Sequence, residues 1–124
     1  AAPRGRRRTL PPQARLAAML GGRTRELVCE ELVLRARLDL DEDRPREAAV
    51  QLLAALDAAL AELPADPAAT ALADRVAELG GLRSAVAECA RSALAGDAPR
   101  AEADLSGALA RLEATLRARA AAIG

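Results

Sequence analysis

Residues 45–63 read PREAAVQLLAALDAALAEL, and this stretch decides the fold. Its apolar residues recur at intervals of four, three, four and three, at Ala49, Leu53, Leu56, Leu60 and Leu63. That spacing places them on one stripe of an α-helix, which Leu52 widens into a face. Alanine fills most other positions, and small side chains allow neighbouring helices to approach closely. The pattern predicts a helix in the middle of a small bundle.

Proline and aspartate mark the ends of this helix. Asp43 is the candidate N-cap, because its side chain can accept a hydrogen bond from a free N–H of the first turn. Pro45 follows in the first turn, where a missing N–H costs little. Pro64 marks the C-terminal end. The signals predict a helix over residues 45–63.

The composition indicates a single small domain without catalytic or cofactor chemistry. The chain has 124 residues, no aromatic residue and no histidine. Without histidine it lacks the usual general base near neutral pH and the commonest metal ligand. Cys29 and Cys89 are interpreted as small buried residues of a reducing cytoplasm, with a disulfide or a reactive thiol as the alternatives. We expect no catalytic residue, no cofactor, no metal site and a cytoplasmic location.

Charge is divided unevenly along the chain. Seven arginines and no acid precede Glu26, whereas eleven arginines and eighteen acids make up the rest. Residues 1–9 are therefore interpreted as a flexible basic arm, and residues 10–124 as one all-α domain. The arm either folds back on the acidic body or contacts nucleic acid or another polyanion. The candidate polyanion-binding residues are Arg4, Arg6, Arg7 and Arg8.

Two further helices are predicted before the central one. Residues 12–20 form a short candidate helix that the glycines at 21 and 22 end. The next helix runs from residue 23 or 24 to 38, and its apolar residues fall on two sides. A helix that is apolar on two sides is usually central in a bundle or lies in a subunit interface.

The C-terminal half contains two or three helices. Asp66 followed by Pro67 predicts a helix start, and the Gly80-Gly81 pair favours a break in that helix. Gly96 and Pro99 mark the last turn. The last helix repeats leucine at 105, 109, 112 and 116. Short turns favour antiparallel neighbours, so we predict a small antiparallel bundle of four main helices with one or two short ones. Two related helical hairpins are one form of it.

Two segments resemble the second half of a tetratricopeptide-type helical hairpin. The shared pattern is a short turn, an acidic residue before an alanine, a bulky residue four later and an alanine seven later. It occurs at Asp43–Ala48, Leu52 and Ala55, and its turn, first alanine, bulky residue and second alanine recur 53 positions on at Gly96-Asp97, Ala101, Leu105 and Ala108. Ala36 and Cys89 take the small-residue positions of the preceding helices, with Leu32 and Ala85 four residues earlier. The resemblance implies stacked helical hairpins with a partner-binding surface, and an internal duplication.

The polar residues do not form a recognisable catalytic set. The serines and threonines have neither histidine nor lysine available as a base. Glu26, Glu30 and Glu31 lie on the helix that is apolar on two sides, so these acids are either solvated and arginine-paired or buried for a function. No apolar run is long enough to predict a membrane span.

These patterns favour a non-enzymatic protein-interaction or oligomerisation module. The expected partner is another protein or a second copy of the chain, giving a homo-oligomer and most simply a dimer, with no membrane partner. The candidate interface residues are Leu27, Leu34, Leu38, Leu105, Leu109, Leu112 and Leu116. The alternatives are non-specific nucleic-acid binding through the arm and a regulatory bundle that binds a small molecule.

Overall fold

The four main helices predicted from the sequence are present. A computed structural model describes residues 26–97 and 102–123 of the chain. Its helices are α1 (Val28–Asp41), α2 (Pro45–Glu62), α3 (Ala69–Leu94) and α4 (Glu102–Ile123). A 3₁₀ turn, Leu63–Ala65, continues directly from α2. The described residues form a small all-α bundle, which confirms the predicted fold class.

Neighbouring helices run antiparallel, and the last helix returns to the first. Arg83 of α3 pairs with Asp57 of α2, with 2.6 Å between Nε and Oδ1. Both Nε and Nη2 of Arg37 on α1 donate to the carboxylate of Glu113 on α4, at 2.9 and 2.8 Å. Since α1, α2 and α3 each also pack against the helix that follows, α4 closes the bundle.

The core consists mainly of leucine and alanine, and α2 contributes more buried apolar residues to it than any other helix. On α2 even the small residues Ala49, Ala55 and Ala59 are fully buried, together with Leu52 and Leu56. Helix α2 packs against both α1 and α3 and also touches α4. This burial explains why the helix is rich in alanine: small side chains let three neighbours approach it at once.

The turn between α1 and α2 differs from the predicted capping. Arg44, and not Asp43, is the N-cap residue of α2, and Pro45 opens the helix as predicted. Asp43 has a φ of 60°, in the left-handed region that aspartate tolerates better than most residues. Its N–H donates to the carbonyl of Leu40, and the N–H of Arg44 donates to that of Asp39. These bonds form a Schellman motif, so Asp43 ends α1 instead of starting α2.

The turn after α3 has the same geometry, 53 residues further on. Gly96 has a φ of 92° and its N–H donates to the carbonyl of Ala93, while Asp97 donates to that of Ser92. This is a second Schellman motif, with glycine at the left-handed position as the sequence predicts. The Gly96 carbonyl accepts a hydrogen bond from Nη1 of Arg46 at 2.7 Å. Helices α1 and α3 therefore end in the same way, and their left-handed residues, Asp43 and Gly96, are 53 positions apart.

The predicted break at the glycine pair is wrong, because α3 is continuous from Ala69 to Leu94. Leu72, Leu79 and Val86 recur at intervals of seven and are all buried, so one apolar stripe runs through the pair. Packing along this stripe outweighs the cost of two glycines, which is about 1 kcal/mol each relative to alanine.

We expect Gly81→Ala to stabilise the protein by about 0.5–1 kcal/mol, because it restricts the unfolded chain and improves helix propensity. An added Cβ at Gly81 meets no other atom within 4 Å. Gly96→Ala is the matched control: it forces alanine into a left-handed conformation and should destabilise by about 1 kcal/mol. Urea denaturation measures both changes. A loss of stability in Gly81→Ala would contradict an uninterrupted helix.

Two other helix starts also differ from the predictions. Helix α1 begins at Val28, later than the predicted residue 23 or 24, with Leu27 as its N-cap residue. The predicted start of the next helix at Asp66 and Pro67 is wrong, because α3 begins at Ala69 with Ala68 as its N-cap residue. Asp66 instead accepts the Ala68 N–H at 2.9 Å in the turn before the helix. The predicted short helix over residues 12–20 and the predicted helix start at Pro99 lie outside the described residues.

Candidate interaction surface

At one end of the bundle, a buried ion pair joins α4 to the turn between α2 and α3. Nε of Arg119, in the last turns of α4, lies 2.9 Å from Oδ1 of Asp66 in the turn between α2 and α3. Both side chains are buried, with 6% and 3% of their surface exposed. The other carboxylate oxygen of Asp66 accepts the Ala68 N–H. Nη1 of Arg119 also lies 3.7 Å from Oε2 of Glu30 on α1.

The start of α1 is capped by Glu62, the last residue of α2. The two carboxylate oxygens of Glu62 accept the N–H groups of Val28 and Cys29 at 2.8 and 2.9 Å. The Leu27 N–H donates to Oε1 of Glu30 at 2.7 Å. A carboxylate at a helix N-terminus satisfies free N–H groups and complements the helix dipole. This end of α1 is therefore fixed to both α2 and α4.

The polar groups at this end do not favour catalysis. Burial, together with the hydrogen bond and negative charge of Glu62, raises the pKa of the Cys29 thiol to about 12. Because the thiolate is the reactive form, a protonated and fully buried thiol is a poor nucleophile. Glu30 is half-buried and paired, Glu31 is exposed, and so is Glu26. The cluster positions α1 relative to the rest of the bundle.

A groove of about 340 Å³ lies between α3 and α4. Its walls are mostly apolar, with one acid and one arginine, and consist of Leu82, Ala85, Val86, Cys89, Asp104, Leu105, Gly107, Ala108 and Arg111. Burial raises the pKa of the Cys89 thiol, and the charges of Asp104 and Glu88 add to this. The volume of the groove between α3 and α4 is within the range of small-ligand sites. Binding of a small molecule stays a prediction.

The outer side of α1 is apolar although it faces away from the core. Val28, Leu34 and Leu38 are 61%, 69% and 52% exposed. Only five large apolar side chains are exposed in the described part of the chain, and three of them are on this 14-residue helix. Val33 and Ala36 on the opposite side are buried. The prediction of a helix with two apolar sides is thus confirmed by burial of one side and exposure of the other.

An ion pair and a groove complete this surface, which we call the α1 outer face. Nη2 of Arg35 lies 2.7 Å from Oε2 of Glu31, one helical turn earlier, and both side chains are more than half exposed. A groove of about 440 Å³ follows the start of the helix, lined by Glu26, Leu27, Val28, Glu31, Leu32 and Arg35. The α1 outer face consists of Val28, Glu31, Leu32, Leu34, Arg35 and Leu38.

The seven predicted interface residues divide into two groups. Leu34 and Leu38 are exposed on the α1 outer face. The other five are enclosed by the chain itself: Leu27, Leu105, Leu109 and Leu112 are buried, and Leu116 is half-buried against the core. The α4 stripe was predicted to be exposed because a sequence cannot distinguish a core stripe from an interface stripe. Leu105, Leu109 and Leu112 belong to the core of the bundle, and Leu116 packs against it.

Several predictions concern residues or properties outside this geometry. Arg4, Arg6, Arg7 and Arg8 lie outside the described residues, so polyanion binding stays a prediction. Among residues 26–97 and 102–123, no three cysteine or acidic side chains are grouped closely enough to hold a metal ion. One helical stretch, residues 45–65, is long and apolar enough to cross a bilayer by length and composition alone. Its largest apolar residues pack in the bundle core.

Comparison of the chain with protein-family models, curated proteins and solved structures finds no significant match. The resemblance to tetratricopeptide-type hairpins therefore rests on the residues quoted above alone and stays a prediction.

Proposed function

We propose that this protein is a non-enzymatic interaction module that binds another protein chain through the α1 outer face. The observation that supports the proposal is the exposure of Val28, Leu34 and Leu38 on one helix. Exposed apolar side chains that lie together on one surface, rimmed by charged residues, are typical of protein–protein contact sites.

The rest of the fold is consistent with such a role, because it holds α1 firmly. The helix is capped by Glu62, linked to α4 through Arg37, and buried along its inner side. A surface on a fixed helix needs little ordering when a partner binds, and this reduces the entropic cost of association. The charged residues on the same face, Glu31 and Arg35, supply specificity rather than most of the affinity.

A photo-crosslinking experiment tests this proposal. A benzophenone amino acid replaces Leu34 in the full chain, and the same group replaces Ala77 on the exposed side of α3 as the matched control. We expect irradiation in an extract of the source cells to give protein adducts from position 34 but not from position 77.

A second substitution on the same surface makes this test specific. Adding Leu38→Asp should abolish the adducts from position 34, because it places a charge in the apolar contact without touching the crosslinker. Adducts that persist with Leu38→Asp, or that form equally from position 77, would indicate non-specific capture and contradict the proposal.

A further inference from the structure

The residues of the α1 outer face are arranged symmetrically around one position in the helix. Glu31 and Arg35 lie two residues on either side of Val33, with opposite charges. Val28 and Leu38 lie five residues on either side of it, and both are apolar. The side chain of Val33 itself is buried on the inner side of the helix. The outer face therefore has the same apolar and charged pattern in both directions, with the sign of charge reversed.

We infer that α1 pairs antiparallel with α1 of a second copy of this chain, around a twofold axis at the level of Val33. This inference rests on the proposed function and names its partner. In an isologous antiparallel pair, each residue near the centre of the contact lies level with the residue at the mirrored position. Glu31 then faces Arg35 of the second copy, and Val28 faces Leu38 of the second copy. The ion pair and the apolar contact each occur twice, once on either side of the axis.

The groove at the start of α1 fits this pairing. Four of its lining residues, Val28, Glu31, Leu32 and Arg35, have the spacing of a hole that accepts one side chain from a facing helix. In the mirrored arrangement, Leu38 of the second copy lies level with Val28, at the N-terminal edge of this hole. Leu38 is 52% exposed in the single chain, so it is available for this contact. The twofold axis repeats the same contact on the other helix.

Leu32 and Leu34 widen the contact on its two flanks. They lie one residue on either side of Val33, and an antiparallel twofold brings each of them beside its own counterpart. One helix face buries less surface than the roughly 1,600 Å² of a standard interface. We therefore expect a weak, reversible dimer with a Kd of roughly micromolar order.

The charge pattern permits a decisive test in solution. Glu31→Arg should place arginine opposite arginine in a homodimer, and Arg35→Glu should place glutamate opposite glutamate. We expect each variant alone to remain a monomer at concentrations where the unchanged chain is a dimer. Mixed in equal amounts, the two variants regain opposite charges at both positions, and we expect a heterodimer. Analytical ultracentrifugation measures the masses.

Control variants separate the pairing from a loss of folding or from a general charge effect. Both substituted side chains are more than half exposed, and an exposed ion pair within a helix contributes little to the stability of the fold. Circular dichroism should therefore show a folded protein. Glu88→Arg on α3 reverses a charge of similar exposure in another intrahelical pair and should leave the dimer intact.

Three outcomes would overturn the inference. The unchanged chain could remain a monomer at every concentration, as it would if its own residues 1–25 or a different protein covered the face. The dimer could persist in both charge variants, which would place its interface elsewhere. The mixture could stay monomeric, which would exclude the antiparallel register. None of these outcomes removes crosslinking from position 34 to a different protein, so failure of self-pairing is distinguishable from failure of the proposed function.

Discussion

Replacing Arg119 by methionine should destabilise the protein by about 3–5 kcal/mol, because it leaves the buried carboxylate of Asp66 without its cation. The Arg119 and Asp66 side chains are 6% and 3% exposed, so water cannot replace the lost partner. In the Arg119→Met variant, the Ala68 N–H would still donate a hydrogen bond to the Asp66 carboxylate. Since small domains are stable by only about 5–15 kcal/mol, the midpoint of urea unfolding should fall markedly.

Two controls show whether the charge is the cause. The double variant Arg119→Met with Asp66→Asn removes the uncompensated charge and keeps an oxygen for the Ala68 N–H, so it should be more stable than Arg119→Met alone. Arg83→Met breaks the exposed pair with Asp57 and should change the stability far less, because solvent screens this pair. Equal losses in Arg119→Met and Arg83→Met would show that burial does not determine the effect.

The helices were predictable from the sequence because their signals are local. The intervals of three and four in residues 45–63 and the glycine at position 96 each depend on residues within one or two turns. The wrong predictions arose where distant packing or backbone geometry decided the result. Gly80 and Gly81 lie in an unbroken helix because the buried stripe of α3 continues on both sides. Asp43 adopts a left-handed conformation, which no spacing rule assigned to it.

The buried ion pair was missed for a similar reason. Asp66 was predicted only as the start of a helix, and no sequence pattern links it to Arg119. Their contact spans 53 residues and depends on how the end of α4 returns to the turn after α2. An arginine near the end of an amphipathic helix is most often solvated, and a sequence offers no signal that this one is enclosed.

The candidate surface was predicted in part. The second predicted helix has apolar residues on two sides, a pattern that left open whether it lies centrally in the bundle or in a subunit interface. Which leucines would be exposed depended on the arrangement of four helices. Helix α1 packs against α2 and α4 on its inner side only, so its outer face stays exposed. The leucine stripe of α4 is enclosed by the other helices. The symmetry of α1 around Val33 is visible in the sequence, but it gains meaning only once the exposed side is known.

Leu112→Ala should destabilise the protein by about 2–5 kcal/mol, because Leu112 is fully buried and its loss leaves a cavity in the core. The loss should not depend on protein concentration, since the residues around Leu112 belong to the same chain. Leu34→Ala is the matched control, because it removes the same atoms from a side chain that is 69% exposed. At low concentration it should change the stability by no more than about 0.5 kcal/mol.

Concentration separates the two roles. A dimer that forms through the α1 outer face raises the melting temperature as the chain becomes more concentrated, because association stabilises the folded state by mass action. Leu34→Ala should remove this dependence on concentration. Leu112→Ala should lower the melting temperature by the same amount at every concentration, and the dependence on concentration should remain. The opposite result, with a concentration-dependent loss in Leu112→Ala and none in Leu34→Ala, would assign the interface to α4 and the core role to α1. Calorimetry of the two variants over a range of concentrations therefore decides which leucine stripe binds a partner.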